Sequence, residues 1–248
     1  MDAPPAAGLL EVAGLSKRFG AIVVADGVTF SLAAGECLGM IGPNGAGKSS
    51  IFNLIAGTIA ADGGTIRFDG REMSGLAAHL RARLGIVRAF QIPQPFPHLT
   101  VYENVLAAAS FGGGLASSEA QAAALGVLST MGLGAKAETL AGQLPLLDRK
   151  RLELGKAIAS RAKLLLLDEI AAGLTEPEVE ELVALIASLK AGHAIIWIEH
   201  IPHALRALAD RILVLHFGRN VLVGPPAEVM GSRLVREIYM GFAGDDVA

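Results

Sequence analysis

Short apolar runs alternate along this chain with longer stretches of helical spacing, and that alternation predicts a mostly parallel sheet joined by crossover helices. The first part reads as strand-rich: Leu9 to Leu15, Gly27 to Leu32 and Glu36 to Ile41. The third run feeds into a glycine-rich turn and a helix from about Lys48 to Ala56. Thr65 to Phe68 reads as a strand ending at the turn pair Asp69-Gly70, and Leu84 to Phe90 as another strand. Gln91-Ile-Pro-Gln-Pro-Phe-Pro-His98 then sets three prolines within five residues, which predicts a stiff, extended loop. Thr100 to about Ala162 is Ala-rich and helical only, with glycine breaks at 112–114 and 132–134. The sheet pattern resumes at Lys163-Leu-Leu-Leu-Leu-Asp168. A helix over Glu176 to Lys190, a strand over Ala194 to Ile198, a further helix and a strand over Arg211 to Leu215 follow. Asn220 to Val223 closes a hairpin, and Val229 to Tyr239 is predicted as one terminal helix. The expected organisation is a single α/β domain, with residues 1–91 and 163–248 as the core, a β-rich N-terminal part, and 92–162 as an inserted α-helical lobe.

Composition narrows the classes. The chain has 248 residues, 52% hydrophobic and 18% charged, which supports a sizeable core and excludes a disordered chain. Lys and Arg number 21 against 24 Asp and Glu, a net charge of −3, which argues against a general nucleic-acid binder. Arg149 to Lys163 holds six basic residues and one Glu. No aromatic interleaves with them, so this stretch reads as a solvated, partly phosphate-facing helix. Cys37 is the one cysteine and fits a reducing compartment. Met1-Asp2-Ala3-Pro4-Pro5 lacks the features of a secretory signal, and no run is apolar enough to span a bilayer, so a cytoplasmic protein is expected.

The strongest chemical signal is Gly42-Pro43-Asn44-Gly45-Ala46-Gly47-Lys48-Ser49, followed by Ser50. Its glycines let backbone N–H groups curl around phosphate oxygens, and the helix that follows adds a favourable dipole. Lys48 can reach the β- and γ-phosphates of a nucleotide, and the Ser49 hydroxyl can ligate Mg²⁺. A second metal-binding acid is required on a neighbouring strand end, and Asp168, 120 residues after Lys48, fits. Glu169 follows, placed where a carboxylate could polarise an attacking water. On its own, Asp168-Glu169 also reads as an ordinary acidic strand exit.

Together these residues resemble the ATP-binding subunits of ABC transporters, and the resemblance runs from Leu9 to Gly241. It implies a P-loop ATPase core, with ATP and Mg²⁺ as cofactors. Phe19 matches the aromatic that stacks on adenine in that family. Gln91 matches the glutamine that senses Mg²⁺ and the γ-phosphate and links to the membrane partner. His200, in Ile196-Trp197-Ile198-Glu199-His200, matches the family's γ-phosphate histidine. Val87-Arg-Ala-Phe-Gln91, Leu99-Thr-Val-Tyr-Glu-Asn104 and Val235-Arg-Glu-Ile-Tyr-Met-Gly241 resemble the branched-chain (hydrophobic) amino-acid uptake subgroup. That likeness implies transmembrane permease subunits, a solute-binding protein acting indirectly, a second ATPase chain, no nucleic acid, and a position on the inner face of the membrane. The docking surface for the permease is expected on the loop Gln91 to His98 and the first part of the helical lobe.

The departures lie in one place. The family's Ser-Gly-Gly-Gln signature, which grips the γ-phosphate held by a partner chain, aligns with Leu144-Pro145-Leu146-Leu147-Asp148. Pro145 has neither a hydroxyl nor an N–H, the two leucines add side chains, and Asp148 adds a negative charge that Arg149, Lys150 and Arg151 are expected to offset in part. Thr175 stands at the family's aspartate position and Ile170 at its proline. A heterodimer with an intact partner signature is therefore expected over a homodimer. Two alternatives stay open at this stage: a nucleotide-gated switch with little turnover, and a soluble ATPase acting on nucleic acid or ribosomes.

Overall fold

The computed structural model describes residues 8–240, and its chain forms two compact units, 1–76 with 196–248 and 77–195. The opening residues Met1 to Pro5 and Gly241 of the closing motif lie outside the described residues.

In the first unit, β1 (Leu10–Phe19) pairs antiparallel with β2 (Ile22–Leu32) and with β4 (Gly63–Phe68), and β4 pairs with the short β5 (Arg71–Glu72). The register Leu10↔Leu32, Val12↔Phe30 and Leu15↔Val28 puts buried apolar residues on one face. Both strands run further than the alternation predicts. Ser16-Lys17-Arg18 breaks the apolar pattern, yet pairing continues through register shifts to Phe19↔Ile22. The other strands of this unit are β3 (Cys37–Ile41), parallel to β9 (Arg211–His216), and β10 (Arg219–Gly224), antiparallel to β9. β3 leads through the glycine-rich turn into α1 (Lys48–Ala56), which buries Ile51, Phe52, Leu54 and Ile55 and stops at the left-handed Gly57.

The terminal helix predicted over Val229 to Tyr239 is two helices, α8 (Pro226–Gly231) and α9 (Arg233–Met240). Ser232 breaks them because its backbone is extended and its hydroxyl accepts the Val235 N–H at 3.2 Å, as a helix-starting serine does.

In the second unit, α2 (Ala78–Leu84), which the pattern did not reveal, precedes β6 (Ile86–Ala89). β6 lies parallel to β7 (Leu164–Asp168), whose four leucines are wholly buried. An apolar run with no alternation is what a strand covered on both faces requires, and each such leucine contributes about 1.5–3 kcal/mol. Between these strands come α3 (Val101–Ala107), a π-helical turn over 108–112, α4 (Ser117–Thr130) and α5 (Leu146–Ala159). Gly155 of α5 permits close approach of α4, since a Cβ there would lie 3.1 Å from Met131 and 3.2 Å from Val127. α6 (Glu176–Leu189) follows β7, and β8 (Ala194–Ile198) carries the chain back to the first unit, ahead of α7 (Pro202–Leu208).

Candidate nucleotide site

The loop from Gly42 to Gly47 is built so that no other residue type fits its tight points. Gly47 has φ 103°, and a Cβ on it would lie 2.2 Å from the Val24 carbonyl oxygen. A Cβ on Gly42 would lie 2.3 Å from the Leu215 carbonyl oxygen. Two backbone bonds fasten the loop from behind: Gly218 N–H donates to Ala46 O at 3.0 Å, and Asp26 N–H to Gly218 O at 2.8 Å. α1 starts at Gly47 with no side-chain cap, so no side chain occupies the end where a phosphate would meet the helix. Lys48, 6% exposed, folds its ammonium onto the carbonyls of Gly42 (2.7 Å) and Pro43 (3.2 Å). Ser49 is exposed and Ser50 half-buried. A buried cation, a glycine backbone and a bare helix start form a donor set that fits a polyphosphate.

Phe19 ends β1 with 51% of its surface exposed, and Lys17 Nζ lies 5.3 Å from the centre of its ring. Lys17 is held by Asp62 at 2.7 Å. The hydrogen bonds from Lys17 and from the Arg18 N–H keep the Asp62 carboxyl below its usual range. His200 is exposed just after β8, and its N–H donates to the carboxylate of Glu199, a buried residue, at 3.1 Å.

The second unit brings together two of the predicted residues. Gln91 Nε2 donates to Glu169 Oε2 at 2.8 Å. Glu169 holds φ 47°, a left-handed conformation that costs about 1–3 kcal/mol for such a residue, and strain of that kind concentrates at functional positions. Asp168, 8% exposed, ends β7 and accepts a hydrogen bond from Arg88, to which no site role was given by sequence reasoning. The Arg88 guanidinium also lies 4.9 Å from the centre of the Phe90 ring. A lone charge within Ile86–Ala89, beside a strand that ends in an acid, was the signal for it. Among the described residues no three His, Cys, Asp or Glu side chains cluster as a metal site. The Asp168 carboxylate and the Ser49 hydroxyl are hard oxygen donors of the kind Mg²⁺ takes when phosphate oxygens complete its coordination.

The start of α5 differs from the expectation. Its first turn follows an extended Pro145 and has no side-chain cap. Asp148 is buried and forms ion pairs with Lys136 and, at 3.5 Å, with Arg151. Of the three basic residues expected to offset it, Arg151 does so directly. Arg149 donates instead to the Leu144 carbonyl (2.7 Å) and the Gly142 carbonyl (2.9 Å). Lys150, 1% exposed, donates to the Gln91 carbonyl, and Lys156 to the Gln94 carbonyl at 2.8 Å. The reading of this basic stretch as a solvated face is thus corrected: carbonyls at the exit of one helix and in the proline-rich loop draw these cations inward. Thr175 starts α6, and both its N–H and its hydroxyl donate to Glu178 at 2.8 Å. Those bonds keep the Glu178 carboxyl below its usual range. Phe96 is 57% exposed, while its backbone N–H and carbonyl are both held by the buried Asn104 side chain at 2.8 and 3.1 Å.

A family model described as "ABC transporter" matches residues 25–172. The high-affinity branched-chain amino acid transport ATP-binding protein BraF of Pseudomonas aeruginosa is 36% identical, over 95% of this chain and 98% of that protein. LivG of Escherichia coli, with the same description, is also 36% identical over the same shares. The lipopolysaccharide export system ATP-binding protein LptB of Acidithiobacillus ferridurans is 32% identical, over 94% and 97%. Among solved structures, an ATP-binding cassette of an ABC transporter in its ADP conformation superimposes with a TM-score of 0.85, 27% identity and coverage of 95% and 100%. A nucleotide-free cassette gives 0.84, with 27% identity over 93% and 98%. No helix among the described residues is long and apolar enough to cross a membrane. With a glycine-built phosphate loop, a glutamine-bound acid at a strand end and full-length likeness to such cassettes, this chain belongs to the ABC transporter family as one of its ATP-binding cassettes.

Proposed function

We propose that the chain binds and hydrolyses ATP to power uptake of branched-chain or other small hydrophobic amino acids through separate transmembrane permease subunits. The observation that carries this reading is the loop before α1, where only glycine fits and a buried lysine waits on two carbonyls. The full-length relatives among branched-chain amino acid transport proteins support the solute class, and they favour a transport motor over a slow nucleotide switch.

Phe19 stacks the adenine, and the backbone from Gly42 to Ser50 wraps the phosphates. Lys48 exchanges its two carbonyl partners for phosphate oxygens. Ser49 and Asp168 would each offer an oxygen to Mg²⁺ and Gln91 would respond to it; the ion, when bound, would neutralise charge on the phosphates. Glu169 polarises the attacking water, and its bond to Gln91 fixes the carboxylate until substrate arrives. His200 steadies the γ-phosphate.

The chain works at the inner face of the membrane, with the exposed Phe96 in its docking surface and a second ATPase chain as partner. A heterodimer is favoured, since Pro145, Leu146 and Leu147 offer a γ-phosphate less than the family's signature does. The test is ATP-driven accumulation of labelled leucine by vesicles carrying the complex. Uptake is expected to vanish with Glu169→Gln; uptake that continues unchanged would overturn the reading. Phe96→Ala is expected to weaken co-purification with the permease at least fivefold and leave ATP binding intact. Lost ATP binding would refute that placement.

A further inference from the structure

Arg88 lies in the stretch Val87-Arg-Ala-Phe-Gln91 that resembles the amino-acid uptake subgroup, yet it has no role in the phosphate loop or in the site residues proposed above. It sits in the middle of a four-residue strand whose neighbours Ile86 and Ala89 are buried, and its own side chain is 13% exposed. β6 and β7 pair with Arg88 beside Leu166 and Ala89 beside Leu167, so the guanidinium has only to reach past the strand end to meet Asp168. It donates to Oδ2 of a carboxylate whose side chain is 11% exposed. An unpaired carboxylate at that depth is costly, and a guanidinium that stacks on Phe90 at 4.9 Å is held in place to neutralise it.

We propose that Arg88 is the resident counter-ion of Asp168, holding the electrostatic place of the divalent metal so that the nucleotide-free chain does not capture free metal ions. This rests on the reading of Asp168 as a metal-facing acid. The pair stabilises the empty site, and it also sets a threshold. A free divalent ion would have to approach a carboxylate already neutralised by a fixed positive charge, with no cluster of three His, Cys, Asp or Glu side chains among the described residues to help. An ion arriving with polyphosphate oxygens as its other ligands meets a lower threshold, because those ligands supply most of its coordination. Arg88 is thus a positioning and gating residue that acts through Asp168. Phe90 supports it and stands next to Gln91, so the same short segment carries the counter-ion and the residue that binds Glu169.

The test is a titration of the nucleotide-free full chain with Mn²⁺, followed by the loss of the free-ion electron paramagnetic resonance signal. Arg88→Gln is expected to bind Mn²⁺ about tenfold more tightly than the wild type. Adding Asp168→Asn to that variant is expected to remove the gain. Arg88→Lys, which keeps the charge but loses the stack on Phe90, is expected to fall between the wild type and Arg88→Gln. If Arg88→Gln does not fold by circular dichroism, Phe90→Leu loosens the guanidinium and is expected to tighten Mn²⁺ binding two- to threefold. Damage to the fold would weaken metal binding, so a gain is a readout that a purely structural arginine would not produce. Unchanged or weaker Mn²⁺ binding in whichever of Arg88→Gln and Phe90→Leu folds overturns the proposal, as does a gain that survives Asp168→Asn. ATP binding in the presence of Mg²⁺ is measured alongside. Its absence in the wild type would sink the proposed function, and that outcome is read separately from the Mn²⁺ result.

Discussion

Two helices of this chain begin in ways that look alike and are chemically opposite. α1 begins after a glycine with left-handed backbone, and α5 begins after an extended proline; neither start has a side-chain cap. At α1 every tight point is glycine, and the buried charge nearby is Lys48, a cation resting on carbonyls that it can leave. At α5 the aligned positions carry Pro145, Leu146 and Leu147, and the buried charge is Asp148, committed to Lys136 and Arg151. A helix start becomes a phosphate site only when the backbone before it can curl and no side chain fills the space. The α5 start has the dipole and lacks the rest.

The comparison breaks most sharply at Gly47. Gly47→Ala forces a Cβ to within 2.2 Å of the Val24 carbonyl at a left-handed φ. It is expected to weaken ATP binding by about 100-fold or more and to destabilise the fold by about 2–4 kcal/mol. Fluorescent-nucleotide titration and thermal melting check both. Near wild-type affinity would show that the loop is not the phosphate cradle. Asp148→Asn tests the opposite end at lower amplitude. Removing a buried charge from between two cations, one of them half exposed, should cost about 1–2 kcal/mol and lower the melting temperature by about 2–8 °C. ATP affinity should stay within about twofold. If it tightened markedly, Asp148 would be facing nucleotide rather than its two cations.

The smallest effect concerns Glu178 and Asp62, whose carboxyls are held below their ordinary values of 4.5 and 3.8. A carboxylate with a lowered folded-state value adds stability above its ordinary value, and loses it as pH falls through the lowered one. Melting temperature should therefore be flat from neutral pH to about 4.5 and fall below that. Glu178→Gln should remove part of the acid slope; an unchanged slope would dismiss that contribution. Both groups are exposed, so the change is expected to be slight.

How much of this could be read in advance follows the same physics. The glycine loop before α1 and the acidic pair at the end of β7 were legible as candidates because the chemistry proposed for them needs fixed residue types at fixed spacing. β7 and β8 were legible because unbroken apolar runs of four and five residues are too short for a buried helix. β1 ran on past Leu15 unseen, because pairing through register shifts has no apolar signature. The break at Ser232 depends on one hydroxyl capping a new helix. Arg88 and the inward-facing Lys150 were invisible as site features, since each acts on a partner far along the chain, at sequence separations of 80 and 59. Composition describes a charge as solvated until a buried acceptor is known.

The most direct measurement is ATP turnover by the purified chain at high protein concentration, beside a variant with Pro145→Ser, Leu146→Gly and Leu147→Gly that keeps Asp148 and its ion pairs. Glu169→Gln in each serves as the control for contaminating activity. The account predicts ATP binding by both chains, slow turnover by the wild type, and turnover about tenfold higher in the variant, lost with Glu169→Gln. Equal turnover in both, abolished by Glu169→Gln, would contradict it. The α5 start would then serve a homodimer as it stands, and the contrast between the two helix starts would have no bearing on catalysis.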